Sequence, residues 1–476
     1  MQPLALAFLF VTALLALPVS AADYHMDLAG SGKQDGSSWE NALPYAQADT
    51  VLNTTMQPGD NLYLAGADYG KDILRIKSSG TAKQRKSLVG VDRGQGLPLF
   101  PGNSRSLKAG ANIVLEQGAS YWTIKTLELH RRGWGLKTEG ANIGLIIDGV
   151  RTYNCVNGFG FYDSDDLLVV NCVSERYTRY GFHLAHSCDR VVIRQCYADC
   201  TGKRDEPDED WWRSANPSGF YFHTDVARTL PNTDILVEDC VSRNNRQLSK
   251  TPGKFLQGDG FMSEFNNDRL TFRRCVSYDN QQGAFDLKGT NQILENCMAL
   301  RSGNGFKLWK NATLINCIAS NTTGNVVMLI GQKENPGHIM TAKNCTFNVG
   351  AEAGGAAIWI ERGVKGVTQA TLENCVITRA GAADSYDKNV VAGGFSGAAA
   401  NIEFNAGKPD ESVRFDNAGD PKNTPNYINP TGSWLPWQKD ADAFDNTAYG
   451  LTKGYSSTSN PELAKNMPRP APRPVR

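Results

Sequence analysis

The sequence predicts an all-β protein built as a parallel β-helix, a solenoid in which each coil contributes three short strands. Three observations support this prediction. An apolar segment that ends in cysteine recurs through the middle of the chain. A Gly-Phe pair followed by a second apolar segment comes after most of these cysteines. The 47 glycines and the scarcity of long apolar runs favour short strands and turns over helices.

The repeat is clearest between positions 258 and 308, where one sequence unit occurs three times with small changes. Subtracting successive cysteine positions gives 297−275 = 22 and 317−297 = 20 residues. A coil of this length without a helix signature fits a parallel β-helix, and the Leu/Asn consensus of a leucine-rich repeat is absent. Longer intervals earlier in the chain indicate insertions, which in a solenoid form loops on one face, often the binding face.

The cysteines follow the repeat. Nine of the eleven share one frame, at the end of an apolar segment: Cys155, Cys172, Cys196, Cys240, Cys275, Cys297, Cys317, Cys345 and Cys375. A residue that recurs at one register of every coil predicts a ladder of buried thiols rather than disulfides. Cys188 and Cys200 fall outside this frame, and they are the only plausible disulfide pair in the sequence.

The two ends of the chain differ in composition from the repeats. Residues 1–21 are apolar and close on small residues, which predicts a cleaved signal peptide and hence a secreted or periplasmic protein. We expect residues 22–405 to form the β-helix domain, beginning with an N-terminal cap, and residues 406–465 to form a C-terminal capping segment. The Pro/Arg alternation in 466–476 predicts a disordered tail. No later segment is long and apolar enough to span a bilayer.

Charge and one insertion bear on possible partners. The formal net charge is zero, which argues against a nucleic-acid binder. The insertion at 201–217 is acidic and contains Trp211 and Trp212. Tryptophan faces stack on sugar rings, whereas an acidic loop can also be merely solvated, and both interpretations stay open.

Aligning the repeats on the phenylalanine of Gly-Phe gives a column of residues one position later. Its members are Gly160, His183, Tyr221, Met262, Asp286, Lys307 and Met328. Because strand neighbours of a buried side chain point to the opposite face, we expect this column on the outer, exposed face. Asp286 and Lys307 are 307−286 = 21 residues apart, which is one coil, and adjacent coils lie about 4.8 Å apart. Their side chains should therefore meet.

Asp259 lies one residue before the glycine of its own repeat and one coil before Asp286. Two carboxylates and a lysine within reach of one another form a candidate site. The competing interpretation is that Asp286 and Lys307 form an ordinary cross-strand ion pair, which contributes a fraction of a kcal/mol.

The opening GSGKQDGSSWENALPY and PGDNLYLAGADY, with GDGF, SYDN, AFDL and GNGFKL, resemble the family 9 polysaccharide lyases. These are secreted right-handed parallel β-helix enzymes. The likeness is loose over most of the chain and close over 258–308. It implies that Lys307 is the Brønsted base and that Asp259 and Asp286 bind Ca²⁺. The family usually has two further adjacent aspartates before its FDL motif, where this sequence has Gln281, Gln282 and Gly283.

The residue types suit β-elimination. A lyase removes the proton α to a uronate carboxylate and expels the 4-linked sugar, which leaves a double bond. The carboxylate must be neutralised by Ca²⁺ or by a cationic side chain, and the lysine must be unprotonated. Asp286 alone would raise the pKa of Lys307, whereas a bound metal would reverse that effect. Without the ion, Lys288 or Arg301 would have to supply the positive charge.

The sequence therefore predicts a secreted, monomeric lyase that acts on an acidic polysaccharide. The expected substrate-binding residues are Lys288, Arg301, Trp211 and Trp212. Three alternatives stay open. A β-helix glycoside hydrolase would use two carboxylates at a defined separation. A uronate epimerase would share the proton abstraction. A non-catalytic exported protein would only bind glycans.

Overall fold

The computed structural model describes residues 21–103, 105–200, 216–224, 230–247, 256–320, 322–330, 339–343, 345–349, 355–360, 368–373, 375–379, 400–404 and 413–416. These residues form a parallel β-helix, as predicted, and every strand pairing among them is parallel. Each coil visits three sheets in a constant order, which we name sheet 1, sheet 2 and sheet 3. One coil, for example, contributes Trp122–Lys125 to sheet 1, Glu128–His130 to sheet 2 and Trp134–Thr138 to sheet 3.

The strands stack in sequence order, apart from a reversal at the N-terminal edge of sheet 1. In the described residues sheet 1 comprises Leu43–Pro44, Asp23–Asp27, Asn61–Ala65, Lys86–Val91, Trp122–Lys125, Ile146–Asp148, Leu168–Val170, Asp189–Arg194, Asn232–Glu238, Asn267–Arg273, Gln292–Glu295, Ala312–Ile315, Ile339–Lys343, Thr368–Glu373 and Ala400–Phe404. Sheet 2 comprises Leu99–Phe100, Glu128–His130, Arg151–Tyr153, Val173–Glu175, Tyr197–Asp199, Val241–Arg243, Val276–Tyr278, Met298–Leu300, Ile318–Ser320, Thr346–Val349, Cys375–Arg379 and Val413–Asp416. Sheet 3 comprises Leu74–Ile76, Ala111–Leu115, Trp134–Thr138, Asn157–Tyr162, Tyr180–Ala185, Ser218–His223, Asp259–Ser263, Gly283–Leu287, Asn304–Leu308, Val327–Leu329 and Ile358–Ile360. A separate pair joins Asn142–Ile143 to Ser164–Asp165.

Helical structure in the described part of the chain is short and lies near its beginning. The segments are Trp39–Asn41, Tyr45–Gln47, Ala48–Thr50, Val51–Thr55 and Leu107–Ala109. Ala48, Val51 and Leu52 are buried and belong to the main core, so this part of the chain closes the N-terminal end of the solenoid. No described helix has the length and apolar character needed to cross a membrane.

Most of the predicted end segments lie outside the described residues. This applies to the expected signal peptide at 1–21, of which only position 21 is described, and to the tail at 466–476. It also applies to the capping segment at 406–465, except for Val413–Asp416, which continues sheet 2.

A ladder of stacked phenylalanines occupies the core behind sheet 3. Its members are Phe159, Phe182, Phe220, Phe261, Phe285 and Phe306, and each is fully buried. Successive ring centroids lie 4.8, 4.7, 4.7, 4.9 and 5.3 Å apart, which is offset stacking at the spacing of the coils. The ladder therefore holds neighbouring coils in register.

The glycine of the Gly-Phe motif has a steric cause. The residue before each phenylalanine is small: Gly158, Gly181, Gly219, Gly260, Ala284 and Gly305. A Cβ at Gly260 would collide with Ser277 Oγ, which projects from sheet 2 at the corner of the coil. A small residue is therefore needed before the phenylalanine, because sheets 2 and 3 approach each other closely there.

The predicted thiol ladder is present at the corner after sheet 1. Seven of the nine predicted cysteines stand two residues beyond a sheet 1 strand: Cys172, Cys196, Cys240, Cys275, Cys297, Cys317 and Cys345. The side chain of Cys375 lies outside the described residues. The thiol of Cys275, for example, donates to the carbonyl of Arg273 and to that of Val237 in the coil before. The residue before the cysteine has a positive φ, 51° at Arg274 and 55° at Asn171, so it turns the chain. Asparagine and aspartate tolerate this conformation better than most residues do.

Cys155 was assigned to this ladder wrongly. It follows Arg151–Tyr153 of sheet 2, and Val150 holds the equivalent position after sheet 1. The true interval is 172−150 = 22 residues, a normal coil. The error arose because Asn154 also turns the chain with a positive φ of 58°, so the same Asn-Cys pair marks a different corner.

The proposed disulfide between Cys188 and Cys200 is absent. Both residues are buried thiols. The thiol of Cys188 donates to the carbonyls of Phe161 and Ala185, and that of Cys200 donates to the carbonyl of Tyr177. Each sulfur packs as a small buried side chain and donates to a backbone carbonyl of the preceding coil.

The phenylalanine ladder predicts a large effect of truncation. Phe261→Ala removes a ring that stacks on Phe220 and Phe285, so the free energy of unfolding should fall by about 3–5 kcal/mol. Denaturant unfolding measures this change. Phe261→Leu, which preserves most of the volume, should lose clearly less, and equal losses would argue against the stacked ladder.

The thiol assignment predicts the outcome of a simple titration. Protein that is denatured without reductant should react with a thiol reagent at all ten cysteines that the structure describes as thiols. A disulfide between Cys188 and Cys200 would remove two of these reactive groups until a reductant is added.

Candidate active site

The predicted outer column is confirmed by the strand register of sheet 3. The pairings run in the order Gly160, His183, Tyr221, Met262, Asp286, Lys307 and Met328, one residue per coil. The phenylalanine before each residue from Gly160 to Lys307 lies in the core ladder. The column residues therefore project to the other side of the sheet, which is the outside of the solenoid.

The structure brings Asp286 and Lys307 into contact. Lys307 Nζ donates to Asp286 Oδ2 at 2.7 Å. Trp309 Nε1 donates to Asp286 Oδ1 at 2.6 Å, so both oxygens of this carboxylate have a donor. Trp309 stands two residues after Lys307, on the same side of the chain. One coil thus supplies both groups that bind Asp286.

Asp259 joins the same network from the preceding coil. The backbone N–H of Gly283 donates to Asp259 Oδ1 at 2.8 Å. The side-chain amide of Gln282, in the orientation that satisfies both of its neighbours, donates to Asp259 Oδ2 at 3.1 Å and accepts from Lys307 Nζ at 2.8 Å. Gln282 therefore links Asp259 to Lys307, and the ammonium is held from two sides.

Gly283 is required by this close approach. A Cβ at this position would lie 2.8 Å from Asp259 Oδ1 and 3.5 Å from Lys307 Cδ. A larger residue would displace the carboxylate from the backbone N–H that binds it.

The expectation that these residues lie on an exposed surface is wrong. The exposed fraction is 1% for Asp259, 3% for Asp286 and 5% for Lys307. The polar atoms turn toward each other and toward Gln282 and Trp309, so little of them reaches solvent.

A cross-strand ion pair elsewhere in the fold provides a comparison. Lys125 and Asp148 are register partners on sheet 1, 2.8 Å apart, with side-chain exposures of 40% and 23%. The corresponding values for Lys307 and Asp286 are 6% and 4%. Exposed pairs cost little to form, whereas a buried pair must overcome the desolvation of both charges and is weak evidence for a purely stabilising role.

Burial changes the ionisation of Asp259. Loss of solvent, and next the charge of Asp286, raise the pKa of Asp259 to about 7, although Lys307 and the Gly283 N–H oppose this shift. A carboxyl with such a pKa can hold or release a proton near neutral pH, which suits acid–base chemistry.

The calcium expectation can be tested against the side chains that are present. Ca²⁺ takes six to eight oxygen ligands. Here the oxygens of Asp259 and Asp286 accept from Gly283, Gln282, Lys307 and Trp309. Among the described residues no group of three or more His, Cys, Asp or Glu side chains is arranged to hold a metal ion. The described arrangement does not fit a resident calcium ion.

The predicted substrate-binding residues fall in three different places. Lys288 lies beside the site, where its Nζ contacts Glu264 at 3.0 Å and lies 5.6 Å from the centre of the Trp309 ring. Arg301 lies after a sheet 2 strand, pairs with Asp279 at 2.9 Å and sits over Tyr278. Trp211 and Trp212 lie outside the described residues.

Sequence reasoning missed Trp309 and Gln282. A signal existed for Trp309, because a residue two positions after Lys307 in a strand shares its face. For Gln282 the repeat pattern gave none, since it stands in the turn before Gly283–Leu287, and the family resemblance marked its position only as a departure from the usual aspartates.

An aromatic group occupies the same outer column four coils before Lys307. The His183 ring stacks between Trp134 and Tyr221, at 5.9 and 5.3 Å between centroids. Burial, and next the nearby His223, hold the pKa of His183 well below its usual value, so this imidazole is neutral.

Comparison with known proteins supports the fold. No protein-family model and no curated protein matches the chain. A mannuronic acid specific family 6 polysaccharide lyase from human gut microbiota matches at 10% identity, covering 94% of this chain and 98% of its own, with a TM-score of 0.52. The pectate lyase Pel9A matches at 14% identity, covering 75% and 80% of the two chains, with a TM-score of 0.48. The catalytic domain of an α-1,3-glucanase matches at 11% identity, covering 84% and 69%, with a TM-score of 0.46.

These solved structures are polysaccharide lyases and a glycoside hydrolase, and the first of them supports the parallel β-helix. At 10% identity the likeness shows the fold and not the reaction or the substrate. The resemblance to family 9 in particular is not confirmed.

The raised pKa of Asp259 predicts a pH dependence of stability. Because its pKa in the folded protein is about 7 and its ordinary value is 3.8, the folded state binds the proton more tightly. This contribution is complete below about pH 4 and is lost as the pH rises through about 7. Relative to Asp259→Asn, the wild-type protein should lose on the order of a few kcal/mol over that range.

Denaturant unfolding at a series of pH values measures the difference between the two proteins. Asp148→Asn, at the exposed pair, serves as the control and should track the wild type over this range. A constant difference between wild type and Asp259→Asn would contradict the raised pKa.

Proposed function

We propose that this protein is a polysaccharide lyase that cleaves a uronate-containing polysaccharide by β-elimination, with Lys307 as the base. The observation that carries the proposal is the 2.7 Å contact between Lys307 Nζ and Asp286 inside a buried network on the outer face of sheet 3. A titratable lysine and a titratable carboxyl, Asp259, meet there through one amide.

In the proposed reaction Lys307 removes the proton on C5 of the uronate, next to its carboxylate. The electrons of that C–H bond form the C4–C5 double bond as the bond from C4 to the linking oxygen breaks. The departing oxygen takes a proton and becomes the hydroxyl of the released sugar. No oxidant or reductant is required.

Lys307 must first lose its own proton. The contact with Asp286 offers a direct route, because transfer over 2.7 Å turns the ion pair into a neutral amine and a neutral carboxyl group. Burial disfavours both charges of the pair and so lowers the cost of this transfer. The Trp309 N–H donates to Asp286 Oδ1 and so favours the carboxylate over the neutral carboxyl group.

The negative charge of the substrate also needs partners. A protonated Asp259 or Asp286 can donate a hydrogen bond to the uronate carboxylate or give its proton to the departing oxygen. Lys288 adds a positive charge beside the site, although Glu264 offsets part of it. These groups would neutralise the carboxylate of the substrate, which is the role that the family resemblance assigns to calcium.

A glycoside hydrolase is the second candidate, and one observation favours it. Asp259 has a raised pKa, whereas Asp286 is held by an ammonium and an indole N–H. Two neighbouring carboxyls in different environments, one of them with a raised pKa, are the arrangement that hydrolases use. In that reaction Lys307 has no evident chemical task, so we place the lyase first.

The proposal also covers the substrate, the oligomeric state and the location of the protein. The substrate would be an acidic polysaccharide. The protein would be a monomer and would act outside the cytoplasm after removal of residues 1–21. An epimerase would use the same proton abstraction and return the proton to the other face of the sugar.

The activity is tested on a panel of uronate polysaccharides by following the ultraviolet absorbance of the unsaturated product, with calcium and with chelator. The wild type should form this product in both conditions. Lys307→Ala should slow it about 10²- to 10⁴-fold, the range of a general base. Lys125→Ala, which breaks the exposed Lys–Asp pair of sheet 1, is the matched control and should keep wild-type activity.

Other outcomes would reject the lyase. New reducing ends without ultraviolet absorbance would indicate hydrolysis. A change in uronate composition without chain cleavage would indicate an epimerase. Binding of polymer without any product, in a protein that is folded, would leave a glycan-binding protein.

A further inference from the structure

Gln282 occupies a special position in the network, because its side chain hydrogen-bonds to both Asp259 and Lys307. Its amide donates to Asp259 Oδ2 and accepts from Lys307 Nζ, at 3.1 and 2.8 Å. These two partners lie in different coils, one before and one after the coil of Gln282. A single side chain therefore spans three successive coils at the site.

The backbone holds Gln282 at this point. Its N–H donates to the carbonyl of Gly258, and its own carbonyl accepts from the N–H of Asn304. Gly258 precedes Asp259, and Asn304 begins the strand that carries Lys307. The same two coils that receive the side chain thus also fix the main chain, so the amide has little freedom to turn away.

The adjacent residue strengthens this turn but does not enter the site. Gln281 Oε1 accepts from the backbone N–H of Gln247 at 2.6 Å, and the Gln281 N–H donates to the carbonyl of Asn245. Gln281 thus binds the turn to the coils before it, and it offers a natural comparison for Gln282.

Only an amide satisfies both neighbours of Gln282. The amide has a donor end for the carboxylate of Asp259 and an acceptor end for the ammonium of Lys307. A carboxylate at this position could accept from Lys307 but would repel Asp259. An apolar residue would leave Asp259 Oδ2 and Lys307 each without one partner in a buried site, which is costly.

The oxygens of the two carboxyls already have donors from the protein. Lys307 Nζ donates to Asp286 Oδ2 at 2.7 Å, and its other partner here is the amide oxygen of Gln282 at 2.8 Å. A divalent cation would need the oxygens that now accept from Gly283, Gln282 and Trp309. The amide of Gln282 thus keeps Asp259 turned toward Lys307 instead of toward a metal.

We propose that Gln282 is a positioning residue that couples Asp259 to Lys307, and that this amide allows the site to work without a divalent cation. The kinetic part of the inference rests on the proposed lyase activity. The structural part does not, because it concerns the ionisation of Asp259 and the binding of calcium, both of which can be measured on an inactive protein.

Gln282→Leu tests the coupling, with Gln281→Leu as the matched control. Removing the amide takes a donor from Asp259, so its pKa should rise further. The decline in unfolding free energy that the wild type shows as the pH rises should then extend to higher pH in this variant. Gln281→Leu should keep the wild-type pH range. If Gln282→Leu also keeps that range, the coupling is refuted.

Calcium binding tests the second half. Chelator-treated wild type and Asp259→Asn are titrated with Ca²⁺ by isothermal titration calorimetry. The two proteins should give the same result, with no calcium binding that depends on Asp259. A calcium site in the wild type that is lost in Asp259→Asn would overturn the metal-independent site, whatever the activity.

The kinetic readout separates positioning from substrate binding. In Gln282→Leu the kcat of the lyase reaction should fall about ten- to hundredfold with KM changed less than about threefold, because a displaced base slows the chemical step. Gln282→Asn, which retains the amide on a shorter side chain, should recover part of that loss. An unchanged kcat in Gln282→Leu would refute a positioning role. If no lyase activity exists in any protein but the pH and calcium results hold, the proposed function fails and the coupling stands.

Discussion

The stacking of one coil directly on the next, enforced by the phenylalanine ladder behind sheet 3, is the constraint on which the rest of the structure depends. Because each ring lies 4.7 to 5.3 Å from the ring before it, the residue after each phenylalanine faces the corresponding residue of the neighbouring coil. Residues 21 positions apart in sequence thereby become close neighbours in space. Asp286 and Lys307 owe their contact to this register, and so do Asp259 and the amide that joins it to Lys307.

The site holds an ion pair that is almost completely buried. Asp286 uses both of its oxygens on Lys307 and Trp309, whereas Asp259 accepts only from neutral groups, the Gly283 N–H and the Gln282 amide. The two carboxyls therefore differ in their partners although they lie in adjacent coils. Both are buried aspartates on neighbouring strands of one sheet, so the difference comes from the groups that each one contacts.

The fold itself does not decide among the reactions considered. A parallel β-helix presents long columns of outward side chains, and the chemistry depends on which residues occupy a few adjacent positions of one column. In this chain the decisive positions are the turn residue Gln282 and the strand residues Asp259, Asp286 and Lys307. Most positions of the same outer column hold residues of other types, such as the neutral His183 between its aromatic neighbours.

The sequence by itself determined the class of fold, the coil length and the column that joins Asp286 to Lys307, because these follow from a local period that is repeated along the chain. Only the tertiary structure decided that Cys155 belongs to another corner and that Cys188 and Cys200 do not pair. It also decided that Asp259 is buried and that Gln282 and Trp309 complete the site. These features depend on how turns and side chains of different coils pack together. Apart from Trp309, whose place two residues after Lys307 gave a signal, such contacts join residues that the repeat pattern does not relate, so the pattern carries no record of them.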